Sequence, residues 1–148
     1  MTIVFTLCLP RDSASVPVVR QVFHSSLDKL GVESECLDDM ELAVTEACTN
    51  VLKHASGTGD EYEVAVAVDD STCEIRVTDT GSGFDHAAVN GAPSSSSESG
   101  RGIQLMKALV DKVQFLSQPQ DGTIVRLVKE LELSDGSVLR ALGSPAST

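Results

Sequence analysis

Between Glu35 and Ala55 the chain carries a helical repeat long enough to fix one layer of any fold it adopts. With Glu46 set at zero on a wheel of about 100° per residue, Leu37, Met40, Val44, Ala47, Cys48, Val51 and Ala55 fall between about 100° and 200°. A continuous apolar stripe of this kind must be covered by a second layer of structure. Glu46, Asn50 and Lys53 fall within about 40° of zero and form a separate polar face of the same helix. Gly57 and Gly59 then stop it.

The flanking patterns supply the other layer. Ile3, Phe5, Leu7 and Leu9 alternate as in a strand, which Pro10 and Asp12 end. A helix is predicted from Ala14 to Leu30, with Pro17 tolerated in its first turn and Gly31 as its stop. Two strands follow, Glu61–Val68 and Cys73–Thr78, and Asp69-Asp70-Ser71 between them implies a hairpin. From Gly81 to Gly100 all periodicity is lost, and four serines run from Ser94 to Ser97. A long irregular stretch inside a small domain marks a binding loop, a lid or a disordered segment. The pattern resumes as a helix from Arg101 to Val113, with Ile103, Met106, Val110 and Val113 on one side, and as a last strand from Thr123 to Leu131. Residues 1–133 are read as one domain and residues 134–148 as a partly disordered tail. The order of elements predicts an α+β two-layer sandwich, with helices packed on one face of a mostly antiparallel sheet.

Composition narrows the partners. With 3% aromatic residues and no Trp, the core must be built from Val, Leu, Ile and Ala. The 148 residues leave room for one domain with a proper core. The net charge of −11 speaks against direct nucleic-acid binding, which needs a basic patch to neutralise phosphates. No apolar run approaches the roughly 20 residues that span a bilayer, so no membrane partner is expected. Ile3–Leu9 has neither a basic residue before it nor a small-residue cleavage site after it, and is read as a strand of a cytoplasmic protein. Cys8, Cys36, Cys48 and Cys73 form no C-x-x-C pair and are read as buried structural thiols.

Three segments carry residues suited to chemistry. In Glu46-Ala-Cys-Thr-Asn50 the two polar side chains stand four apart on a helix and can reach one ligand. A carboxylate can accept a proton, and an amide oxygen can complete the shell of Mg²⁺. Asp79-Thr-Gly81-Ser-Gly83 follows a strand directly; its glycines let backbone approach a ligand, and Asp79 can accept from an exocyclic amine. Gly100-Arg101-Gly102 opens a helix, where free N–H groups and a fixed cation suit phosphate. Each segment alone has a plain structural explanation: a solvated helix face, an Asp-Gly turn, a glycine-bounded helix start. Their order is what distinguishes them.

That order resembles the GHKL (Bergerat-fold) superfamily of ATPases and kinases, with the Glu46 segment as its N box, Asp79-x-Gly81-x-Gly83 as G1, Gly100-Arg101-Gly102 as G2 and Gly122-Thr123 as the short G3 element. The resemblance covers about Phe5 to Leu131. Thr45-Glu46-Ala47, Lys53-His54-Ala55 and Ser99-Gly100-Arg101-Gly102-Ile103 make the chain most similar to the anti-sigma-factor serine/threonine kinases. The resemblance implies that Glu46 is the general base and Asn50 the Mg²⁺ ligand. It implies that Asp79 accepts from the adenine amine, that Gly81 and Gly83 shape the pocket, that Gly100, Arg101 and Gly102 wrap the phosphates, and that Thr123 lies near adenine. The cofactors implied are ATP and Mg²⁺. The partners implied are an anti-sigma-factor antagonist (STAS) protein phosphorylated on serine, a sigma factor, and a second copy in a homodimer. The alternative kept open is a regulatory module that holds ATP and acts by association. His24, in the first helix, is read as structural.

Overall fold

The architecture comes from a computed structural model that describes residues 1–54, 61–79, 97–118 and 122–143. Strand β1 (Ile3–Pro10) leads through a 3-10 turn (Ser13–Ser15) to α1 (Val16–Lys29) and α2 (Ser34–His54). Strands β2 (Glu61–Val68) and β3 (Thr72–Asp79) follow, then α3 (Ser97–Leu109), β4 (Lys112–Gln118), β5 (Gly122–Glu130) and a short α4 (Val138–Gly143). The sheet has the order β1-β2-β3-β5-β4 and every neighbouring pair is antiparallel. This is the α+β sandwich that the sequence predicts.

Alternation decides which face of the sheet is covered. Tyr62, Val64, Val66 and Val68 of β2, Cys73, Ile75 and Val77 of β3, and Val125 and Leu127 of β5 are buried beneath the helices. Against them α1 lays Val16, Val19, Phe23 and Leu27, and α2 lays Leu37, Met40, Val44, Ala47, Cys48 and Val51. The α2 stripe is the one expected from its helical period. The opposite face carries a polar cluster: Arg76 Nε donates to Glu74 Oε2 at 2.6 Å, and Arg126 donates to Glu74 Oε1 at 3.1 Å and to Gln114 Oε1 at 2.7 Å. The Arg126 and Arg76 guanidiniums hold the Glu74 carboxyl below its ordinary range, against the opposing effect of partial burial.

Three expectations are corrected. The helix predicted over residues 101–113 ends at Leu109, and Val113 belongs to β4, a strand the sequence reading omits. Of the four thiols Cys36, Cys48 and Cys73 are buried, but Cys8 is exposed on the polar side of β1. Burial pushes the Cys48 thiol up to about 12 and raises Cys73 as well. The segment after Leu133, expected to be partly disordered, is ordered as far as Gly143 and packs against the α1–α2 connection. Val32 bridges to Leu133, Ser134 N donates to Gly31 O at 2.8 Å, Ser137 Oγ donates to Leu30 O at 2.7 Å, and Leu139 is 2% exposed. Gly31 is needed there on two counts: its φ is +90°, and a Cβ would lie 2.7 Å from Ser137 Cβ. Residues 144–148 of the predicted tail lie outside the described residues.

Candidate functional site

Helix α2 is the element on which the site turns. It packs against α1, α3, β3 and β5, with its apolar stripe toward the sheet. Asn50, at the wheel position closest to that stripe, is drawn into the interior at 6% exposure, while Glu46 stays half-buried and Lys53 is exposed. Helix α3 crosses α2 so that a Cβ on Gly102 would come within 3.2 Å of Glu46 Oε2. Any side chain at position 102 would therefore press on the carboxylate, and glycine leaves it room.

Helix α3 begins at Ser97, earlier than expected, so Gly100, Arg101 and Gly102 lie within its first two turns and not at its opening. The unsatisfied N–H groups of the first turn belong to residues 97–100. Strand β3 ends in Asp79, which is fully buried. In the ladder Asp79 pairs with Tyr62 on one side and Thr123 on the other, so the G1 and G3 segments meet as neighbouring strand ends. Asp79 Oδ1 lies 3.7 Å from Arg11 Nη1. A buried carboxylate in this setting is suited to accepting an N–H from a ligand. Gly81 and Gly83 lie outside the described residues.

The sequence reading missed Arg11, a single cation at a strand end whose spacing gives no link to Asp79. It also missed the hydroxyl pair beneath the site, where Ser15 Oγ lies 2.6 Å from Tyr62 OH. Burial pushes the Tyr62 phenol up to about 12, although the Ser15 hydrogen bond opposes the shift. His24 is a separate matter. Its Nδ1 lies 2.8 Å from Glu41 Oε2, in an α1–α2 groove of about 480 Å³ lined also by Arg20 and Asp38. His24, Asp38 and Glu41 could bring metal-ligating atoms within 4.8 Å of one another, but Glu41 is already engaged by His24 and by Arg20 at 4.0 Å. On the α2 wheel Glu41 points about 140° away from Glu46, so the groove is not part of the site.

Residues 9–129, from the end of β1 to the end of β5, match the family model described as the histidine kinase-like ATPase domain. The chain belongs to this family. Among its relatives, the serine-protein kinase RsbW of Halalkalibacterium halodurans is 30% identical over 135 residues, covering 85% of this chain and 82% of that protein. The anti-sigma F factor of Pasteuria penetrans is 31% identical over 142 residues, covering 90% and 92%. The crystal structure of the RsbU and RsbW domains of Rv1364c from Mycobacterium tuberculosis superposes with a TM-score of 0.68 at 20% identity. That match covers 87% of this chain and 32% of the other, and it supports the fold.

Use of ATP goes with membership of the histidine kinase-like ATPase family. The residues fit a magnesium–nucleotide complex in three respects. Asp79 offers a buried acceptor at a strand end, Asn50 offers a buried amide on α2, and Gly102 lets the second turn of α3 approach Glu46 without covering it.

Proposed function

We propose that this protein is an ATP-dependent serine/threonine kinase of the anti-sigma-factor type. Its substrate is a serine on a STAS-type antagonist protein, and it binds a sigma factor. The observation that carries the site assignment is the approach of Gly102 to Glu46, since two segments far apart in sequence meet at a carboxylate suited to act as base. Family membership and relatives named as serine-protein kinase and anti-sigma F factor support the reaction and the partners.

Within this proposal Asp79 receives the adenine amine, with Gly81, Gly83 and Thr123 around the base. Gly100, Arg101 and Gly102 hold the phosphates, and Asn50 holds Mg²⁺. The metal, when bound, neutralises phosphate charge that a chain of net charge −11 cannot neutralise broadly. Glu46 accepts the proton of the attacking serine hydroxyl, and Arg101 opposes charge that develops on the transferred phosphoryl group. The half-buried position of Glu46 suits this role, because a base must face substrate while standing apart from bulk water. A cytoplasmic location and a homodimer belong to the same proposal and rest on the resemblance to the anti-sigma kinases.

The test is transfer of γ-labelled phosphate from Mg-ATP to serine of STAS-domain proteins. Glu46→Ala should keep ATP affinity within a few-fold while phosphotransfer falls by about 10²-fold or more. Equal loss of affinity and transfer would reassign Glu46 to binding or folding. Tight ATP binding with no transfer to any STAS protein would leave a regulatory module that acts by association.

A further inference from the structure

Arg11 belongs to none of the segments that define the site, yet its guanidinium reaches the buried end of β3. Nη1 lies 3.7 Å from Asp79 Oδ1, with the side chains 14% and 0% exposed. Both ends of the pair stand on fixed backbone. On the Arg11 side, Pro10 closes β1 opposite Glu61, and Asp12 N donates to Pro10 O at 2.8 Å. Asp12 Oδ1 accepts from Ala14 N at 2.8 Å, and Asp12 O accepts from Ser15 Oγ at 2.6 Å. Ser15 Oγ then meets Tyr62 OH at 2.6 Å, and Tyr62 is the β2 residue opposite Asp79 in the ladder. The turn that presents Arg11 is thus tied to the strand pair that presents Asp79.

The geometry points to Arg11 as a positioning residue that gives the site its preference for 6-aminopurine over 6-ketopurine nucleotides. This rests on the reading of Asp79 as the acceptor for the adenine amine. At 3.7 Å the contact is an ion pair and lies beyond hydrogen-bond distance. Its effect is to oppose the carboxylate's charge and hold its direction. A carboxylate held in that direction accepts from an exocyclic N–H donor and repels the carbonyl oxygen of a 6-keto base. When the counter-charge is removed, a buried carboxylate turns toward whatever donor it can find. The distinction between the two bases then weakens.

The experiment is calorimetric titration of Mg-ATP and Mg-GTP into the full chain as wild type, Arg11→Met and Arg11→Lys. Wild type should favour ATP by about 10²-fold or more, because a fixed acceptor discriminates steeply against a base that offers another acceptor. Arg11→Met should lose about tenfold or more in ATP affinity with little change for GTP, so that the ratio collapses; Arg11→Lys should recover ATP affinity to within about threefold. A folded Arg11→Met variant that keeps the wild-type ratio overturns the inference, whether both affinities hold or both fall together, since a purely structural role moves them in step. If Arg11→Met does not melt cooperatively, Arg11→Gln is judged by the same ratio. Wild type that takes up neither nucleotide overturns the reading of the site and this inference with it. Wild type that discriminates while the variants keep its ratio removes only the role of Arg11.

Discussion

His24 stands on α1 with its side chain 47% exposed, in a field set by groups on both helices. The hydrogen bond to Glu41 raises its pKa above 6.5, partial desolvation opposes the rise, and the charges of Glu41, Asp28 and Asp38 add to it. Arg20, 4.0 Å from Glu41, is the facing cation. Because the folded value lies above the unfolded one, the imidazolium stabilises the fold fully below about pH 6.5 and progressively less as pH rises through the raised value. Urea midpoints of wild type and His24→Gln should therefore differ at pH 5.5 and converge by pH 8.5. An equal difference at both pH values would mean that His24 acts by packing, not by charge. The sequence reading takes His24 as structural and gives no hint of its exposed pairing with Glu41. Asn50 shows the same limit from the other side. The helical wheel sets it with Glu46 on the polar face, yet its 40° offset toward the stripe is enough to bury it. Angular position was legible; depth was set by α3 and the sheet, which no local pattern encodes.

Elements were legible where their periodicity was unbroken. The strands β1, β2 and β3 alternate cleanly, and the structure buries the residues that alternation selects in β2 and β3; in β1 it buries Leu9 and half-buries Ile3, Phe5 and Leu7. Strand β4 was hidden because Ile103, Met106, Val110 and Val113 continue a helical spacing past the true end of α3. The hydrogen bonds mark the change of period. Val110 N still donates to Met106 O at 3.0 Å, but Asp111 N donates to Val128 O at 2.9 Å, joining the sheet. Helix α4 was hidden for a different reason. Its six residues are too few for a helical period to emerge, and its stability comes from docking Leu139 beneath the α1–α2 connection. Stopping the chain after Leu133 removes that leucine along with the bonds from Ser134, Ser137 and Leu139 to Gly31 and Leu30. The expected loss in urea unfolding is at least about 2–4 kcal/mol, in line with deleting one buried leucine and the four hydrogen bonds beside it. A change below about 0.5 kcal/mol would show that α4 is an appendage of the domain.

The whole molecule is a helical layer on a sheet, and the proposed site draws on α2, α3 and the ends of β3 and β5. The order of the four segments was legible in the sequence, whereas the approach of Gly102 to Glu46 and the pairing of Asp79 with Thr123 come from tertiary folding alone. Binding at the proposed site gives the molecule a global readout. A ligand that binds only the folded chain raises its stability, by about 2.7 kcal/mol at a hundred times Kd. For a domain of this size that corresponds to a rise of roughly 5–10 °C in Tm. If Asn50 holds the metal, the rise should be larger with Mg-ATP than with ATP and a chelator, because the chain's net charge of −11 penalises bare triphosphate. Asn50→Ala lowers the starting Tm by emptying a buried position, so the quantity to compare is the shift and not the absolute Tm. In that variant the excess of the Mg-ATP shift should shrink to what charge neutralisation of the nucleotide alone supplies. Equal shifts already in the wild type would remove Asn50 from the metal site, and the absence of any shift at millimolar ATP would remove the nucleotide from the proposal altogether.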